Sequence, residues 1–212
     1  MALHPVFTTP FFFLTFWLLM YNPQVINAIS KSQNKSKAQK ALRILRRMDK
    51  LYQAGYKDAR PNEVTYTSVL NSCAFPATLD QLTRRKALDT AKFTLHELQA
   101  SRYGQPNEVT YGTFLKACAN LLTDDDEMLR VVIEEAFRQC CRDGQVGDMV
   151  LSYLREAAPE DLYRELLDDA VETSDSIITI EELPSAWSCN VRRRDAFCGQ
   201  SSARTTTRRS KS

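Results

Sequence analysis

The chain has 212 residues, room for one ordinary domain or a few stacked repeats, and a net charge of +2 that hides strong segregation. Residues 1–30 carry no charged side chain, residues 31–60 hold ten Lys/Arg against two Asp/Glu, residues 121–183 hold eighteen Asp/Glu against five Lys/Arg, and residues 184–212 hold seven Lys/Arg against one Asp. Six cysteines at scattered spacings exclude a secreted disulfide framework and point to a reducing compartment, while the basic first half suits a polyanion that the acidic third quarter would repel.

The first element is the apolar run Phe11–Tyr21. It is shorter than the roughly 20 residues of a membrane span. Its length suits a signal-peptide core, but no Lys or Arg precedes it, and it lacks the arginines of a transit peptide. A targeting segment, a membrane anchor and an incorrectly assigned start all remain open for residues 1–21.

Next come two helical stripes. Val25, Ile26 and Ile29 suggest a short first helix; Ala38, Ala41, Leu42, Leu45, Met48 and Tyr52 predict a second, closed near Gly55. Pro61-Asn62-Glu63-Val64-Thr65-Tyr66 then recurs letter for letter as Pro106-Asn107-Glu108-Val109-Thr110-Tyr111, an offset of 45. A period in the range of about 20–50 residues signals a solenoid or similar array. After each copy, apolar residues fall at i, i+3, i+4, i+7: Tyr66, Val69, Leu70, Cys73 and Tyr111, Phe114, Leu115, Cys118. Second helices follow, with stripes at Ala87, Leu88, Ala91, Leu95, Leu98 and at Leu129, Val132, Ile133, Ala136, Phe137, Cys140. Thr123 is positioned to cap the latter, with Asp124, Asp125 and Asp126 at the positive end of its dipole rather than on a metal. Gly147-Asp148-Met149-Val150 stands where Pro-Asn-Glu-Val stood. Val150, Tyr153, Leu154 and Ala157 form a weaker first helix, and Pro159 opens another with Leu162, Tyr163, Leu166, Leu167 and Ala170 inward. Its acids (Glu160, Asp161, Asp168, Asp169, Glu172) suit the solvated outer face of a terminal repeat.

The expected fold is therefore all-α, an α-solenoid of stacked antiparallel helix-turn-helix repeats. The chain divides into an apolar segment (1–21), a partial first repeat (22–62), repeats at 63–107 and 108–148, a divergent capping helix pair (149–172) and an irregular basic tail (173–212).

Pro-Asn-Glu-Val-Thr-Tyr followed by an apolar helix ending in Cys-Ala is similar to the opening of a pentatricopeptide repeat. Ala38–Met48 running to Gly55 and Pro61-Asn62 resembles that family's second helix and repeat end, and Leu183-Pro184-Ser185-Ala186-Trp187-Ser188 with Asn190-Val191 resembles the chain end of some members. The unit is longer than the family's by about ten residues, placed in loops where solenoids tolerate insertions. The resemblance implies single-stranded RNA as partner, read one base per repeat in a groove lined by first helices. It implies that Thr67 and Asn107 read one base edge, adenine by the family's pairing, and that Val64 and Val109 sandwich that base. Thr67 and Asn107 also admit a plain reading, as an exposed helix residue and a helix cap. The neighbouring units are poorer. Gly112 occupies the discriminating place of one and offers no side chain, with Asp148 at its end; Asn62 ends the first, its partner being Pro23 or Asn22. With so few reading units, either the chain is a piece of a longer one or it works beside other RNA-processing proteins. The resemblance further implies a mitochondrial or plastid location, no DNA, and a membrane only if the apolar segment is retained.

Catalytic candidates fail. His96-Glu97 begins a deaminase-like zinc motif that no Pro-Cys-x-x-Cys completes. Adjacent Cys140 and Cys141 do not readily share one zinc, and Cys73 and Cys118 occupy equivalent core positions. No phosphate loop or nucleophile elbow occurs. The expectation is a binding protein without cofactor, metal or catalysis. The competing expectation is a helical scaffold for protein partners, favoured by the acidic third quarter, with Lys40, Arg43, Arg46, Arg47 and Lys50 as a solvated outer face.

Overall fold

A computed structural model describes residues 23–76, 80–122, 128–168 and 178–192. The apolar run before Pro23, the expected cap at Thr123 with its acids, and the end of the chain after Arg192 lie outside them. The described residues are all-helical, without a strand. In chain order the helices are α1 (Pro23–Ser30), α2 (Lys37–Gln53), α3 (Glu63–Ala74), α4 (Gln81–Gln99), α5 (Glu108–Leu121), α6 (Met128–Arg142), α7 (Asp148–Ala157), α8 (Glu160–Asp168) and the short α9 (Ser185–Ser188). None of them is long and apolar enough to cross a membrane.

Each boundary has a local cause. Asn62 and Asn107 hold extended backbone and cap α3 and α5 with their side chains. Asp80 does the same for α4, accepting from the Thr83 backbone N–H. Gly55 (φ 99°) and Gly144 (φ 66°) end α2 and α6 in the left-handed region. There the N–H groups of the glycine and the next residue reach back to orphan carbonyls, Gly55 to Tyr52 and Tyr56 to Leu51, Gly144 to Cys141 and Gln145 to Cys140.

The apolar stripes face inward. Tyr66, Val69, Leu70 and Cys73 are buried in α3, as are Tyr111, Phe114, Leu115 and Cys118 in α5. Fully burying one such Leu or Val contributes about 1.5–3 kcal/mol. Helix α1 packs on α3, α3 on α5 and α5 on α7, and each also packs on the second helix of its own pair. The second helices meet one another less closely, and a cleft separates α4 from α6. Lys37 is buried and ties α2 to the end of α1, its ammonium donating to the Ser30 carbonyl at 2.9 Å and the Ser32 carbonyl at 3.3 Å. Burial holds its pKa below the usual lysine value. Of the other cations of α2, Lys40, Arg43, Arg46 and Lys50 are exposed and Arg47 is half-buried.

Within the stretch whose sequence suggests an irregular tail, residues 178–192 pack on the body. Leu183 is buried and Trp187 meets Phe137 edge-to-face at 5.9 Å. The Trp187 carbonyl accepts from the Val146 N–H at 2.8 Å, and the Asn190 side chain donates to the Asp143 carbonyl at 2.9 Å. Two anchors four residues apart with no sustained period leave little helical signature.

Candidate nucleic-acid interface

The repeated hexapeptide places the same groups at the start of α3 and α5. Asn62 Oδ1 accepts from the Thr65 backbone N–H at 3.0 Å and from its hydroxyl at 2.8 Å; Asn107 Oδ1 accepts from the Thr110 N–H at 3.0 Å and its hydroxyl at 3.1 Å. Both asparagines are therefore helix caps, and the threonine three residues on belongs to the cap. Capping accounts for Asn, Thr and the extended backbone after Pro. It does not account for the valine, since Val64 and Val109 are 55% and 48% exposed.

Thr67 is linked to this cap across the interface between α3 and α5. Its Oγ1 lies 3.0 Å from Thr110 Oγ1, and Thr110 is fully buried. Thr67, Thr110 and Asn107 thus form one chain of hydrogen bonds. A hydroxyl has a single proton. Thr110 gives its proton to Asn107 Oδ1, so Thr67 must give its own to Thr110. Thr67 is left with lone pairs to offer. Asn107 Oδ1 already holds two donors, so what Asn107 has left is its Nδ2 amide. The pair presents an acceptor at Thr67 and a donor at Asn107, with exposed Val64 three residues before Thr67 and exposed Val109 two residues after Asn107.

The neighbouring unit is built differently. Gly112 is buried, and a Cβ there would stand 2.8 Å from Met149 Cγ, so glycine permits the close approach of α7 to α5. The start of α7 lies one residue away from where the sequence pattern puts it. Gly147 is the N-cap, the counterpart of Asn62 and Asn107, and Asp148 is the first helical residue. Met149 thereby takes the place of Val64 and Val109, while Val150 is fully buried. Gly147 has no side chain to cap with. Glu108 supplies one from the preceding unit, its Oε1 accepting from the Met149 N–H at 3.2 Å. Of the first unit, Asn62 is exposed and caps α3, while Asn22 lies outside the described residues.

The groups considered for chemistry are embedded or isolated. Burial pushes the thiols of Cys73, Cys118 and Cys141 up to about 12 and raises that of Cys140 further, which removes the thiolate at neutral pH. His96 is exposed, and Glu97 beside it is raised by burial, an effect that Arg46 opposes. Among the described residues no three His, Cys, Asp or Glu side chains gather as a metal site would need. Comparison with protein families, curated proteins and solved structures finds no match for this chain.

Proposed function

We propose that the chain is a pentatricopeptide-type α-solenoid that binds single-stranded RNA through the face of α3 and α5, acting without catalysis in mitochondrial or plastid RNA metabolism beside other RNA-processing proteins. The observation that carries this reading is the linked pair Thr67 and Asn107 between two exposed valines. Two apolar side chains at equivalent positions on adjacent helices suit a flat, unpaired base between them. An acceptor beside a donor suits the edge of adenine, whose N6 amine donates and whose N1 accepts. Cytosine offers the same order on a smaller ring, whereas uracil and guanine offer the opposite one. The family resemblance favours adenine. Gly112, against which Met149 packs, gives the next unit no side chain at that place, so base selection falls to one unit.

The test is equilibrium binding of labelled single-stranded and duplex RNA to the purified full chain at low salt. Single strands carrying adenine are expected to bind, and duplex RNA to bind worse because its base edges are already paired. Equal binding of duplex and single strand would contradict the reading.

A second reading, a scaffold for protein partners, draws on the cleft between α4 and α6. It measures about 340 Å³ at one end and about 310 Å³ at the other, and Phe93, Val131 and Met128 are exposed on the two helices. Capture of a protein partner by a chain that retains no RNA at low salt would favour this reading.

A further inference from the structure

Lys116 is the sole Lys or Arg in α3 and α5, the helices whose face is assigned to RNA, and α1 beside them has none. Its ammonium lies 5.2 Å from the Phe75 ring centre, at the end of α3, and 4.5 Å from that of Tyr153, on α7. It donates one hydrogen bond to the Tyr153 hydroxyl, at 2.9 Å. An ammonium has three N–H donors, so two are left over. No described carboxylate lies in ion-pair range of it. Phe75 is 46% exposed, a large ring left partly open beside a held cation. Lys116 follows Val109 by seven residues, Phe75 follows Val64 by eleven, and both separations return to the same face of a helix.

We propose that Lys116, held between Phe75 and Tyr153, is the seat for one backbone phosphate of the bound strand, and that Phe75 offers its open ring to a neighbouring base. The proposal rests on the RNA-binding reading and extends it to a second point on the same face. The two left-over N–H groups of Lys116 meet phosphate oxygens, and the rings fix the ammonium by cation–π attraction. Such a contact adds affinity without selecting a base. The abundant cations of α2 and α4 take no part in it.

The test is binding of an adenine-containing single-stranded RNA to the full chain at graded salt, for the wild type, K116Q, K116R and F75L. K116Q should flatten the slope of log affinity against log salt by about 0.7, the value for one phosphate contact on a single strand. K116R should keep the slope, and F75L should weaken binding about tenfold by loss of stacking. None of the three should alter which base Thr67 and Asn107 prefer. If K116Q fails to fold, Y153F, which frees the ammonium but keeps its charge, should lose several-fold in affinity at unchanged slope. A wild-type slope and affinity in K116Q, or in Y153F where it replaces K116Q, overturns the proposal while RNA binding stands. Absence of RNA binding by the wild type overturns both.

Discussion

Thr67 on α3 and Thr110 on α5 share a hydrogen bond of 3.0 Å between their hydroxyls, and through it Thr67 is coupled to the cap at Asn107. Thr110 is fully buried and cannot touch a ligand, yet it sets which way the Thr67 proton points. In T110V, a replacement of the same shape, Thr67 becomes free to donate or accept. Preference for adenine or cytosine over uracil and guanine should relax, with affinity for the preferred RNA nearly unchanged and stability lower by about 1 kcal/mol. Selection from randomised RNA together with thermal melts checks this. Unaltered preference would show that the buried hydroxyl has no part in selection.

Asn107 serves two ends with two atoms, and substitution separates them. N107D keeps an oxygen for the Thr110 N–H and places a negative charge at the helix start, so the melting temperature should hold or rise slightly. It removes the Nδ2 donor, so base preference should change. N107A should lower stability by about 1 kcal/mol and change preference as well. If N107D bound the same base as the wild type, Asn107 would be a cap and no more.

The start of α7 depends on the preceding unit. E108A should cost about 1 kcal/mol, because the Met149 N–H loses its acceptor and Gly147 has none to offer. G147A should cost about as much, since a Cβ there would lie 2.2 Å from Glu108 Oε1 and would displace that flexible carboxylate from the Met149 N–H. Both variants remove the same cap, so the combined loss in the double variant should be smaller than the two added together. Chemical denaturation of the four chains measures the coupling, and strict additivity would argue against the borrowed cap.

Cysteine reactivity should follow burial. Cys189 is exposed and should be alkylated readily in the native chain. Cys73 and Cys118 are buried with thiols pushed up to about 12, so they should react at neutral pH only as the chain opens. Peptide mapping after brief labelling distinguishes the sites. Prompt labelling of Cys73 or Cys118 would mean that α3 or α5 is not packed as described.

Much of the fold was legible because burial repeats with the helical period. Tyr66, Val69, Leu70 and Cys73 show their shared face in their spacing alone, and Pro-Asn marks the starts of α3 and α5. The candidate site was legible only as a pair of positions. The Thr110 hydroxyl that joins Thr67 to Asn107 is contributed across an inter-helix interface, and periodicity carries no information about what faces a residue there. Gly112 likewise looks like a missing side chain until Met149 is seen to lie 2.8 Å from the place of its Cβ. The shift of one residue at α7 has a similar cause. The sequence pattern matches Val150 to the earlier valines, but Val150 is buried and Gly147, without a cap of its own, starts the helix.

The central claim is that Thr67 and Asn107 read one base by the order of their acceptor and donor. The most direct measurement is selection from randomised single-stranded RNA with the wild type and with the double variant T67N/N107D. The variant reverses the order, because Asn at 67 can donate and Asp at 107 can only accept. The account predicts that preference at one position moves from adenine to uracil or guanine, by a discrimination of about 1–3 kcal/mol, while melting temperature is maintained. The same base selected by both chains, at equal affinity, would contradict it.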